Sequence, residues 1–170
     1  MTEIAFHLLP QMARWSVRAG EAAAGEIEHA FGVALPREAC RAATNGVRSA
    51  LWLGPDEWLL IAPEGEAAEI GAALMAAAGR VPASVVDIAH RQVAIAVSGA
   101  RWAEVLNAGN PLDLDPAAFP AGMCTRTLFA KAEIVLWRTG ADAFHVEVWR
   151  SFAPYVLGLL EEAAREYVAG

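Results

Sequence analysis

Cysteine is scarce in this 170-residue chain: Cys40 and Cys124 lie far apart and outside any CxxC spacing. That pattern gives neither a disulfide framework nor a zinc ribbon, and it suits two free thiols in the cytosol. Basic charge is short as well. Thirteen Lys and Arg stand against 20 Asp and Glu, for a net charge of -7 and a pI near 5.1. With no basic patch, neither nucleic acid nor an anionic membrane surface is an expected partner. No apolar run approaches the ~20 residues of a membrane span. The opening "MTEIAFHLLPQMARW" has no basic segment followed by an apolar run, so no signal peptide is expected. GxSxG, a P-loop and GxGxxG are all missing, and no set of His, Cys, Asp and Glu has metal-ligand spacing. The residues therefore point to no catalytic group and no metal on this chain.

Apolar residues are plentiful. They make up 56% of the chain, although 38 of them are alanine, so the core is less greasy than that figure suggests. Six Trp and six Phe still represent much aromatic area for this length, some of it available to cover a partner.

The periodicity predicts an α+β chain. "MARWSVRAG" (12–20) alternates as a strand, and "EAAAGEIEHAF" (21–31) carries a helical stripe. "LPREACRAATNG" reads as a loop. "SALWLGPDEWLLIAP" (49–63) is a hairpin about Gly54-Pro55-Asp56-Glu57, where proline presets φ and aspartate suits the next position. A helix over 64–80 ends near Gly79. "VVDIAHRQVAIAV" (85–97) supplies two more strands, and 99–109 is a helix. A turn-rich connection, strands at 126–130, 133–138 and 143–149, and a helix from Ser151 complete the chain.

The chain also repeats itself. Pro36 and Cys40 match Pro120 and Cys124, and Leu51-Trp52 matches Leu136-Trp137. Gly54-x-Asp56-x-Trp58 matches Gly140-x-Asp142-x-Phe144, and Ile70 and Leu74 match Val156 and Leu160. The matches come in order, and each hairpin leads into a helix. This predicts one domain, 1–170, with an internal duplication: two similar βαββ-type halves, about 10–88 and 89–170, packed together. The matched cysteines read as small buried residues at equivalent places.

Among polar residues, Asp87, His90 and Arg91 stand out. Exposed, Asp87 binds a cation or amine and His90 moves protons near neutral pH. The simpler reading has Asp87 accepting backbone N–H bonds at a strand end and pairing with Arg91. In "FHVEVW", Phe144, Val146 and Val148 point one way, and His145, Glu147 and Trp149 the other. That second face is either solvated or an interface anchored by Trp149.

Residues 45–166 resemble the gamma subunits of heterotetrameric sarcosine oxidase. The pieces are "LGPDEWLL" (53–60), Asp87-x-x-His90-Arg91, Pro111-Leu112-Asp113-Leu114, Cys124-Thr125-Arg126-Thr127, Trp137-Arg138 and Arg150-Ser151-Phe152. The wider similarity is to the folate-binding domain of glycine-cleavage aminomethyltransferases, whose DxSH…G segment Asp87, His90 and Gly99 resemble. Their "TGYTGE" loop, which holds the folate pterin through its acid, corresponds to "RTGADAFHVEV" here. The loop is shorter and the glutamate absent.

The resemblance implies a cytoplasmic assembly subunit of an oxidoreductase complex, without catalysis of its own. The complex demethylates sarcosine with oxygen to glycine, hydrogen peroxide and formaldehyde or methylene-tetrahydrofolate. It implies alpha, beta and delta partner subunits carrying FAD, FMN, NAD and tetrahydrofolate, with no cofactor on this chain. Asp87, His90, Arg91, Arg138, His145, Trp149 and Arg150 then form a folate-like pocket or an interface. The competing readings are a free-standing folate-binding one-carbon protein, with tetrahydrofolate near Asp87, and a homo-oligomer built through the aromatic surface.

Overall fold

The computed structural model describes residues 3–168. In chain order the elements are β1 (Ala5–Leu8), β2 (Met12–Ala19), α1 (Glu21–Phe31), β3 (Ala42–Asn45), β4 (Arg48–Gly54), β5 (Glu57–Pro63), α2 (Ala67–Ala78), β6 (Ala83–Asp87), β7 (Gln92–Ser98), α3 (Trp102–Asn107), β8 (Cys124–Phe129), β9 (Ala132–Gly140), β10 (Ala143–Trp149) and α4 (Ala153–Val168). Single 3₁₀ turns, Glu64–Glu66 and Arg150–Phe152, lead into α2 and α4. The chain is α+β and forms two compact units. One comprises 11–90; the other joins the residues up to 10 with those from 91 onward.

In the first unit the strand order is β3-β4-β5-β2-β6, antiparallel throughout. Alternation along β2 sends Ala13, Trp15, Val17 and Ala19 to one face, where Trp58, Leu60 and Ala62 of β5 join them. Helical spacing puts Ala24, Ile27 and Phe31 of α1 and Ile70, Leu74 and Ala77 of α2 over that face. Burying a side chain the size of Phe31 contributes roughly 1.5–3 kcal/mol. Gly32 ends α1 at φ +79°, donating its N–H to the Glu28 carbonyl, a left-handed stop that glycine makes without strain. The β4–β5 turn falls at Pro55-Asp56 as predicted, with Trp52 opposite Trp58.

In the second unit the order is β1-β7-β10-β9-β8. Ile95 and Val97 of β7, Ile134 and Leu136 of β9, and Phe144, Val146 and Val148 of β10 form one apolar face. Val105 and Leu106 of α3 and Val156, Leu160 and Ala164 of α4 cover it. The connection between α3 and β8 contributes Leu114 and Phe119 to the same core. Asn110 pins this connection: its Nδ2 donates to the Leu128 carbonyl at 3.1 Å and its Oδ1 accepts the Leu112 N–H at 2.9 Å.

The two sheets have one plan. Read from one edge, β3-β4-β5-β2 and β8-β9-β10-β7 play the same roles, and each unit runs βαβββα. That contains the βαββ pattern with one strand more. In the first unit the extra strand is Ala42–Asn45, inside a stretch expected to be loop. The fifth position is filled differently. In the first unit it is β6, which follows α2; in the second it is β1, from the other end of the chain.

Two further details depart from expectation, and one agrees with it. The strands flanking Asp87 and Arg91 go to different sheets. As expected, α2 stops at Gly79, whose N–H donates to the Met75 carbonyl at 3.0 Å. Cys124 is buried at the start of β8, but Cys40 is half-buried in a loop at φ +61°, so the two are not equivalent buried residues. Neither cysteine is in a disulfide.

Candidate functional site

Asp87 closes β6, and its Oδ1 accepts the backbone N–H of Ala89 at 2.9 Å. This is an Asx turn, in which a short carboxylate satisfies backbone two residues on. Around it, Ile88 N–H donates to the Arg14 carbonyl at 2.9 Å, and the Gln11 side-chain amide donates to the Ala89 carbonyl at 2.9 Å. Asp87 therefore serves the backbone at its own strand end. His90 is exposed in the turn that follows.

Arg91 lies in the other unit. Its guanidinium is placed over the Trp149 ring, 4.8 Å from the centroid. The Arg150 N–H donates to the Arg91 carbonyl at 2.8 Å, which ties the start of β7 to the end of β10. Arg91, Trp149 and Arg150 thus come together on an exposed corner.

Arg138 and His145 lie on opposite faces of the same sheet. Arg138 stands opposite Phe144 on the helix-covered face. It is buried, with its guanidinium over the rings of Trp102 at 4.6 Å and Phe144 at 5.5 Å. It donates to three carbonyls: Phe119 at 2.8 Å, Gly140 at 3.1 Å and Ala141. Each is a charge-assisted bond, and together they lock the β9–β10 hairpin to the preceding connection. Asp142 completes the lock by accepting the Trp102 indole N–H at 3.1 Å.

His145 stands opposite Trp137, with ring centroids 5.5 Å apart. Its Nε2 and Glu147 Oε1 are hydrogen-bonded at 2.7 Å. Both side chains are buried, Glu147 completely. The face expected to be either solvated or an interface is therefore closed over His145 and Glu147, and only Trp149 is exposed.

Around Trp149 the structure gathers aromatic residues that the sequence had not placed in the candidate site. Phe152 and Tyr155 follow it, their rings edge-to-face at 6.4 Å. A shallow depression of about 220 Å³ is lined by Lys131, Glu133, Trp149 and Phe152. The "WRSFAPY" spacing, with aromatics three apart, was the available signal.

A family model described as "Sarcosine oxidase, gamma subunit family" matches residues 16–166. This chain belongs to the sarcosine oxidase gamma subunit family. Its relative in Corynebacterium sp. (strain P-1), sarcosine oxidase subunit gamma, is 35% identical over 84% of this chain and 70% of the relative. A chain of heterotetrameric sarcosine oxidase from Corynebacterium sp. U-96, solved with pyrrole 2-carboxylate, matches at TM-score 0.91 and 29% identity. That match covers 98% of this chain and 86% of the other. The glycine cleavage aminomethyltransferase T of Bartonella henselae shares the fold at TM-score 0.71 and 17% identity, over 96% of this chain and 47% of that one. This chain thus has the fold of a glycine cleavage aminomethyltransferase, as the resemblance at "DIAH" implied.

Proposed function

We propose that this chain is the gamma subunit of a heterotetrameric sarcosine oxidase and that its part is architectural. The observation carrying this is the match of nearly the whole chain to one chain of such a heterotetramer. In this reading its partners are the alpha, beta and delta subunits. They hold FAD, FMN, NAD and tetrahydrofolate, and the complex works in the cytoplasm. Among the described residues no helix is long and apolar enough to cross a membrane. The complex takes sarcosine, oxygen and water to glycine, formaldehyde and hydrogen peroxide, or passes the one-carbon unit to tetrahydrofolate.

This chain's own polar residues support a role without cofactor. Asp87 spends its carboxylate on the Ala89 N–H. In the hairpin corresponding to the pterin-holding loop, Asp142 is bonded to Trp102 and Arg138 to backbone carbonyls. These bonds turn the residues toward the chain's own backbone and indole, which supports a role without folate.

The test is affinity capture of the tagged chain from cells expressing all four subunits, with absorbance and mass spectrometry of the eluate. A yellow complex with sarcosine-dependent peroxide formation is expected. A colourless chain recovered alone overturns the proposal.

A further inference from the structure

Among the described residues, the three exposed aromatic side chains are Trp149 (42% exposed), Phe152 (42%) and Tyr155 (38%), all within seven consecutive positions. They are held in place. Arg91 lies over Trp149, and Phe152 meets Tyr155 edge-on. Rigid aromatic and arginine side chains are what interfaces concentrate, because they bury much area for little lost freedom. Between Trp149 and Phe152 the 220 Å³ depression leaves room for one apolar side chain.

The charge around this depression is opposite in sign to that of the whole chain. The chain carries -7, yet Arg91, Arg150 and Lys131, the single lysine of the sequence, all flank Trp149 and Phe152. Glu133, which also lines the depression, faces Arg126 at 3.9 Å. A second copy of the chain is a poor occupant. A two-fold contact would set this cationic patch against itself, and both copies carry the same net charge.

We propose that the surface of Arg91, Lys131, Trp149, Arg150, Phe152 and Tyr155 docks a segment of a flavin-bearing partner subunit. That segment has an apolar side chain seated between Trp149 and Phe152, flanked by carboxylates that meet Arg91 and Lys131. The inference rests on the gamma-subunit reading and adds to it the place and chemistry of the contact.

The test uses the four-subunit complex. Two double variants, Arg91→Glu with Arg150→Glu and Trp149→Ala with Phe152→Ala, are compared with the control Met75→Glu on the exposed side of α2. Each surface pair should lower recovery of flavin subunits about tenfold or more, and the control should not. Because the chain has one lysine, acylation of Lys131 by an amine-reactive ester reports on the unmutated surface. It should be much slower in the complex than in the free chain. Equal recovery of all variants, with Lys131 acylated equally fast in both states, overturns the docking surface alone. A wild-type chain that recovers no flavin subunit overturns the gamma-subunit reading beneath it. A homodimer dissolved by the same variants overturns the choice of occupant.

Discussion

Gly99 sits where the chain admits no side chain. Its φ is +119°, and a Cβ would fall 2.6 Å from the Glu3 carbonyl oxygen and 2.8 Å from Ile4 Cα. Gly99→Ala should therefore cost about 2 kcal/mol or more, read as a lowered midpoint of urea unfolding. Arg138→Ala leaves three carbonyls without their donor and should cost on the order of 3 kcal/mol by the same assay. A mutant as stable as wild type would remove Arg138 from the hairpin lock. Glu104 lies in the first turn of α3. Its own backbone N–H, and then the Arg101 guanidinium at 2.9 Å, hold its carboxyl below the usual range. The folded state thus favours the ionised form. The gain is present above the unfolded carboxylate range and disappears as pH falls through the folded value. Glu104→Gln should cost about 0.5 kcal/mol or less at neutral pH, because the pair is exposed. Wild type and variant should unfold alike in acid. Of these residues the sequence marked Gly99 and Arg138 by resemblance, but not their work. Which face Arg138 takes depends on its register opposite Phe144, and the β9–β10 pairing shifts between Ala143 and Phe144. An irregularity of that kind leaves no trace in alternation.

Elements with strong periodicity were legible. The stripes of α1, α2 and α4, the two hairpins and the duplication they form could all be read from residue spacing, because burial on one face imposes it. A test of that logic lies in α2. Leu74 is buried and Met75 exposed, so Leu74→Ala should cost about 3 kcal/mol and Met75→Ala almost nothing, both read by thermal unfolding. Equal effects would mean that the helix does not face the sheet as described. Short elements left no signal. Ala42–Asn45 ends in Thr-Asn and pairs only with β4, and Ala5–Leu8 is four residues long and half exposed. Their strand character comes from a partner's free edge, not from their own side chains. For the same reason the sequence could not show that the strands flanking Asp87 and Arg91 part company. The hydrophobic runs look alike, and sheet membership is settled by pairing.

For the molecule as a whole, the candidate residues divide by task. Asp87 holds a turn, Arg138 a hairpin, and His145 and Glu147 a closed face. Arg91, Trp149 and Arg150 face outward. A chain so arranged should not bind folate by itself. Titrating tetrahydrofolate into the isolated chain should give no saturable quenching of tryptophan fluorescence, and a saturable curve lost in Asp87→Asn would restore the one-carbon-carrier reading. The position of β1 also bears on how the protein is made. Ala5 pairs with Ser98 and Leu8 with Ile95. A ribosome adding roughly 5–20 residues per second leaves residues 5–8 without their partner strand for about 5–20 s, while β2 to β6 emerge and can already pair with one another. An unpaired strand is a template for the wrong neighbour. In a crowded polysome, the hazard to this chain is set by the pace of translation across the codons between β1 and β7, before its finished stability has any bearing.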